Sequence, residues 1–181
     1  MDGAILLFIQ EYIRNDILTP FFKVITTLGN AGLIWIAITL LLLFNKKTRR
    51  AGIISACAML MSLIVNNLVL KNLVARTRPY DAIEALVPLV KKPTDFSFPS
   101  GHTGCAFAAA GVFVRNLPKR AGIPLLILAI LIALSRLYVG VHYPTDVLVG
   151  FIIGLALSYL AEWVVTLWEK RRESKEVKEV E

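Results

Sequence analysis

Between Arg50 and Lys71 the chain carries no charged residue, and this run, Ala51 to Leu70, restricts the fold more than any other feature. A helix of about 20 mostly apolar residues crosses the ~30 Å hydrocarbon core of a bilayer. Lipid offers no partner to backbone N–H and C=O groups, so a single spanning segment has to satisfy them internally, as an α-helix. The run is not isolated. Ala31 to Phe44 and Gly122 to Ser135 are also uncharged, and apolar and aromatic residues make up 56% of the chain. With a mean hydropathy of +0.66, the composition excludes an ordinary soluble domain.

The expected architecture is an all-α integral membrane protein with about five spans. They begin near Ala31 (reached through Leu28 to Asn30), at Ala51, at His102, at Gly122 and at Pro144; the last continues to about Trp168. Residues 3 to 28 are interrupted by Glu11, Arg14, Asp16, Pro20 and Lys23. They read as two short amphipathic helices in the membrane interface, meeting near Asn15 to Pro20, with a sixth span as the alternative. No repeat or linker divides residues 1–181, so one membrane-embedded domain is expected, ending in a charged, solvated tail over 169–181. No basic region or cleavage site precedes the apolar residues, so Met1 onward reads as mature sequence.

The formal charge of +7 gathers in Lys46 to Arg50, Arg115 to Arg120 and the tail from Lys170. All three fall on one side of the predicted topology, which makes that side cytoplasmic by the positive-inside rule and gives no reason to invoke nucleic acid. Residues 71–101 and 136–145 then share the external side. Cys57 and Cys105 lie within apolar segments and read as buried thiols.

Three clusters meet on that external side: Lys71 with Arg78-Pro79; Pro99-Ser100-Gly101-His102; and Ser135-Arg136 with His142 and Asp146. Alone, each has an ordinary explanation. Lys71 could snorkel to the headgroups, Arg78 and Arg136 could anchor lipid, and Ser-Gly-His could be a plain helix cap. Together they place both histidines of the chain beside cations at predicted helix starts. Gly101 leaves its backbone open to an anion at the first turn, where the free N–H groups and helix dipole favour negative charge. Asp146 is four residues past His142, within reach of one imidazole nitrogen, so the other is left for the site. Lys71, Arg78, Arg136, Ser100 and the Gly101 N–H suit the oxygens of a phosphoryl group in transfer. His142 is then the nucleophile and His102 the proton donor to the leaving oxygen. No metal or other cofactor is needed, and the external acids Asp81, Glu84 and Asp95 are too scattered for a two-metal site.

These spacings, with six residues between Lys71 and Arg78, five between Arg136 and His142 and three between His142 and Asp146, resemble the three-part signature of the type 2 phosphatidic acid phosphatase (PAP2) family. The resemblance extends over residues 31–168. It implies a phosphohistidine on His142, His102 as acid and then base, Asp146 orienting His142, and phosphate held by Lys71, Arg78, Ser100, Gly101 and Arg136. It implies a metal-independent lipid phosphatase of the bacterial cytoplasmic membrane with an external site, acting within the bilayer and needing no protein partner. Lipid A 1-phosphate or undecaprenyl diphosphate is the favoured substrate, ahead of phosphatidylglycerol phosphate or phosphatidic acid. A lipid phosphotransferase and a non-enzymatic lipid-phosphate carrier are the alternatives; the His142 and Asp146 pair argues against the carrier, since binding alone requires no oriented nucleophile. A lipid whose tails remain in the bilayer should arrive sideways, with Ile5 to Leu28 and the start of the first span as the wall of its route, and Lys91 and Lys92 available to steer the headgroup.

Overall fold

The computed structural model describes residues 2–178, and every regular segment among them is helical. Helix α1 (Asp2–Phe8) runs into a π-helical turn, Ile9–Ile13. The Asn15 side chain accepts the Ile17 and Leu18 N–H groups and so starts α2 (Leu18–Leu28). A short 3-10 turn, Asn30–Gly32, leads to α3 (Leu33–Phe44). Next, α4 (Arg49–Ser62) passes through a π-helical stretch, Leu63–Leu70, into α5 (Lys71–Val74), and α6 (Pro79–Ala82) follows. The bundle is completed by α7 (Gly101–Asn116), α8 (Lys119–Tyr138) and α9 (Pro144–Lys178).

Helix α7 is the axis. It packs most extensively against α9, α8 and α4, and from Ala106 to Phe113 its side chains are buried. Its small residues explain this. Lipid tails are as apolar as leucine, so helices in a membrane associate through close packing, and small residues let backbones approach. A Cβ on Gly154 of α9 would collide with the Gly104 carbonyl of α7, and one on Gly111 would come within 2.6 Å of the Ser158 hydroxyl. At the basic end Arg115 ties α7 to α9 through the Glu162 carboxylate (2.9 Å) and the Ser158 hydroxyl (3.1 Å), and Arg50 of α4 reaches Glu169 (3.1 Å).

The chain is an integral membrane protein. Helices α8 and α9, and the run from Arg49 that contains α4, are long and apolar enough to cross a membrane; α2 with α3 makes a fourth candidate, bent by 47°. Expected as a span in its own right, α7 has 16 residues, or ~24 Å, and its surroundings are other helices rather than lipid. The expected first span also differs. Leu28 to Asn30 do not extend α3, because Ala31 (φ 50°) and Gly32 (φ 68°) turn the backbone left-handed and break the helix.

The two N-terminal helices form where expected, separated at Arg14–Ile17; one face of each packs on protein, and the other leaves Ile5, Phe8, Phe21 and Val24 exposed. Leu6 is 1% exposed against Leu86 and Tyr143, and Phe22 stacks on Tyr138 with ring centroids 4.4 Å apart. Arg14 donates to the carbonyls of Tyr138 (3.0 Å) and Val87 (2.7 Å), while Gln10 exchanges hydrogen bonds with Ala85 and Val87. These bonds hold the long segment between α6 and α7 onto the bundle.

The tight seam predicts an unusual ranking of substitutions. Gly154→Ala should destabilise by about 1–3 kcal/mol through overpacking, whereas Leu160→Ala, whose side chain is 43% exposed on the outer face, should cost less than about 1 kcal/mol. Thermal unfolding in detergent measures both, and equal losses would contradict α7 as the packing axis.

Candidate active site

At one end of the bundle lies a cavity of ≈ 590 Å³, lined at its polar part by Lys71, Arg78, Asp95, Gly101, His102, Arg136 and His142. Five pieces of chain supply them, one being the loop between α6 and α7 that carries Asp95. Lys71 opens α5; Arg78 follows the left-handed turn at Ala75 (φ 47°); Gly101 and His102 begin α7; Arg136 ends α8, and His142 occupies the turn before α9. Burial is nearly complete for Lys71 (6% exposed), Arg78 (4%), Arg136 (3%) and His142 (1%).

Each cation is held differently. Arg78 donates from Nε to the Asp95 carbonyl (2.8 Å), from Nη2 to the Asp95 carboxylate (2.5 Å) and from Nη1 to the Val141 carbonyl (2.8 Å). Lys71 pairs with the other Asp95 oxygen. Arg136 donates from Nη1 to the Thr26 hydroxyl (2.5 Å), and its buried Nε has no protein partner. A buried donor facing a polar cavity is suited to an incoming acceptor.

His142 Nε2 stands 3.3 Å from Arg78 Nη1. Arginine can only donate, so Nε2 bears the lone pair and the ring proton belongs on Nδ1. Nδ1 is 3.5 Å from Asp146 Oδ2, an ion-pair distance rather than a formed hydrogen bond. Asp146 is fully buried and lies behind His142, outside the cavity lining. Its Oδ2 accepts the Ser97 hydroxyl (2.5 Å) and the Tyr143 N–H (2.9 Å), and its Oδ1 accepts Arg76 (2.6 Å).

All eight predicted site residues therefore gather in one place, but not all face the cavity. Ser100 is the N-cap of α7: its hydroxyl accepts from the Thr103 N–H (3.4 Å) and hydroxyl (2.9 Å). Gly101 does face it, and a Cβ there would meet the Asn67 amide at 2.6 Å, so the missing side chain is what lets the start of α7 lie against Asn67.

Five contributors went unnoticed in the sequence. Asn30, at the bend between α2 and α3, lies 3.1 Å from His102 Nε2. Thr26 holds Arg136. Arg76 and Ser97 hold Asp146. Asp95, taken as one of several scattered loop acids, enters the cation cluster. Burial alone would raise its carboxyl, but the hydrogen bond and charge of Lys71, then Arg78, outweigh this and hold it at about 2. The Asp95 carboxylate thus bridges Lys71 and Arg78. Elsewhere, Lys92 is 3.9 Å from Asp81 and over the Tyr80 ring, so it is engaged within its own loop.

Away from the cations the cavity becomes apolar, with walls from Ile36, Leu40 and Leu43 of α3 and Met59 and Leu60 of α4. From Leu33 to Leu43 the α3 backbone extends ~15 Å. No residue between Ile5 and Leu28 lines it. The start of the first span thus lines the cavity, whereas the N-terminal helices do not, and their outward apolar side chains, Phe8 and Val24 among them, stay exposed.

Comparison with known proteins agrees with this geometry. Undecaprenyl-diphosphatase of Sulfolobus acidocaldarius is 37% identical over 128 residues, covering 71% of this chain and 62% of that protein, so the chain spans under two thirds of that relative's length. The crystal structure of a transmembrane PAP2-type phosphatidylglycerolphosphate phosphatase from Bacillus subtilis superposes with TM-score 0.73 at 33% identity, covering 91% of this chain and 84% of that one. Aquifex aeolicus LpxE superposes with TM-score 0.77 at 27% identity, covering 87% and 92%. The PAP2 superfamily model matches residues 51–172, a stretch that holds every cavity-lining cation and both histidines, and the chain belongs to the PAP2 superfamily.

Proposed function

We propose that this protein is a metal-independent phosphatase of membrane lipid phosphates, with a polyprenyl diphosphate of the undecaprenyl type as the first candidate substrate. The observation that carries the reading is the single cavity with two halves: buried cations and two imidazoles at one end, an apolar trough between α3 and α4 at the other. Leu40 and Leu60, on facing walls, are 50% and 58% exposed, so the trough opens sideways, and a lipid chain enters it without leaving an apolar environment. The activity named for the Sulfolobus relative supports the diphosphate; that named for the Bacillus subtilis phosphatase makes phosphatidylglycerol phosphate the next choice. We place the site on the external face of the cytoplasmic membrane, on the strength of the basic segments at the opposite end.

In this mechanism the phosphoryl oxygens displace the Asp95 carboxylate and take the N–H groups of Arg78, Lys71 and Arg136. The His142 Nε2 lone pair attacks phosphorus as the P–O bond to the lipid breaks. His102 gives its proton to the departing oxygen. The charge that grows on the equatorial oxygens is met by fixed donors, the usual source of most of the rate in phosphoryl transfer. Water then loses a proton to His102 and attacks the phosphohistidine, which returns His142 and releases phosphate.

His142→Ala should lower turnover by ~10³-fold or more, because no neighbour can form the covalent bond. His102→Ala should be selective: a loss of ~10²–10⁴-fold for a lipid diphosphate but several-fold smaller for p-nitrophenyl phosphate, whose leaving group departs without a proton. Equal losses for the two substrates would remove His102 from the acid role.

Because the charge is supplied by lysine and arginine, EDTA should leave activity unchanged. Vanadate, which adopts the five-coordinate geometry, should inhibit at least about tenfold more tightly than phosphate. Activity abolished by EDTA and restored by Mg²⁺ would end the cation-only scheme.

Filling the trough tests the substrate class. Leu40→Trp or Leu60→Trp should raise KM for a long-chain lipid phosphate about tenfold, as burial of a few methylenes at ~0.8 kcal/mol each is lost, and leave a short soluble ester unaffected. A parallel rise for both would show that the trough does not seat the lipid chain.

A further inference from the structure

Behind the cavity an arginine that belongs to none of the three motif clusters is held by more contacts than its surface position would require. Arg76 Nη1 donates to the fully buried Asp146 Oδ1 (2.6 Å) and to the Thr145 hydroxyl (2.7 Å), and Nη2 donates to the Asp2 carboxylate (3.0 Å). Its guanidinium carbon lies 3.8 Å from the centre of the Tyr143 ring. Its carbonyl accepts the Ser97 N–H (2.9 Å), and Ser97 is the second side-chain donor on Asp146. Asp2, at the start of α1, also accepts the Thr145 hydroxyl, so the first helix is tied to the first turn of α9. The result is a row of alternating charge, Asp2, Arg76, Asp146, that ends 3.5 Å from the Nδ1 atom of His142.

We propose that Arg76 is a positioning residue for the catalytic pair: it holds Asp146, and through Asp146 the Nδ1–H tautomer of His142, with Asp2 anchoring Arg76 in turn. This rests on His142 as the nucleophile. Nucleophilic attack by Nε2 requires the proton on Nδ1 and a carboxylate that stays in place as the ring becomes cationic. A buried carboxylate stays ionised only if it is paired and hydrogen-bonded, and Arg76 is its only cationic hydrogen-bond partner among the described residues. Arg76 also sets the balance at the ring. His142 faces Arg78, Arg136 from α8, His102 from α7 and Asp146 from α9, while Asp146 faces Arg76, the Ser97 hydroxyl and the Tyr143 N–H. Removing the Arg76 charge leaves more of the Asp146 charge to act on the imidazole, which favours the protonated ring and disarms it in acid.

The test reads the imidazole directly as well as the rate. The chain has two histidines, so a His102→Asn background leaves His142 as the single imidazole for ¹⁵N NMR titration of the detergent-solubilised protein. Arg76→Gln should move the His142 titration upward by about one unit, the scale expected of one nearby charge, and reduce the Nδ1–H signature. With His102 intact, the same change should lower kcat at least about tenfold with KM nearly constant, and move the acid limb of kcat/KM to higher pH. Arg76→Lys keeps the charge and loses the forked geometry. It should leave the titration near that of the unmodified protein and recover part of kcat, and it gives the decision if the glutamine variant does not fold. An unmoved titration in Arg76→Gln, or a loss confined to KM, or no recovery in Arg76→Lys, overturns the proposal. Should the unmodified protein release phosphate from no lipid, the proposed function fails, and the titration and tautomer still decide the role of Arg76.

Discussion

Three cations buried side by side are the constraint to which the rest of this structure answers. Lys71, Arg78 and Arg136 are each less than a tenth exposed, and like charges lining one buried site repel, by an amount on the order of a few kcal/mol for a close pair. No fold holds them together without compensation, and two kinds are present. Asp95 gives both carboxylate oxygens to Lys71 and Arg78, and hydroxyl and carbonyl oxygens from Thr26 and Val141 take remaining N–H groups. Arg136 Nε is left over. A cluster whose charge is only partly met has a built-in affinity for an anion, and Asp95 is the internal anion that meets part of it.

The opposite problem is solved behind His142. There a carboxylate is fully buried, and its charge is met by Arg76, whose charge is met by Asp2. The two systems share the segment between α6 and α7: Asp95 belongs to the cation cluster, and Ser97, two residues on, belongs to the Asp146 network. That dependence explains why so much of the N-terminal region is spent on the loop. Gln10 and Arg14 bond its backbone, Leu6 packs on Leu86, and Tyr80 donates to the Pro93 carbonyl at 2.5 Å. A displacement of the loop would unbalance both charge systems together.

Much of this was legible in the sequence because chemistry and membrane physics mark it locally. An ionisable residue at the end of an apolar run is costly unless used, and this singled out Lys71 and Arg136; helix-start residues singled out Ser100 to His102. What escaped has no local mark. Asp2 and Arg76 are ordinary surface residues until tertiary contact sets them on Asp146. Asn30 and the bend at Ala31 lie within an uncharged stretch, where hydropathy detects the apolar composition but not a left-handed backbone. Amphipathicity of residues 5–28 marks the helices but not which apolar residues meet protein: Leu6 and Ile25 are buried in the bundle while Phe8 and Val24 stay exposed, and periodicity does not distinguish lipid from protein as the surface a side chain meets.

Two helix starts at one end of the bundle carry the two kinds of charge. At α7 the N-cap Ser100 takes the Thr103 N–H and leaves the Gly101 side of the first turn open to the cavity, where the positive end of the helix favours an anion from outside. At α9 the same positive end is occupied by the chain's own carboxylate, Asp146, which also accepts the Tyr143 N–H. Helix α9 thus stores a fixed negative charge at its start, on its third residue, where α7 has the uncharged Thr103. Between them stands His142, its Nδ1 3.5 Å from the stored charge and its ring lining the same cavity as Gly101.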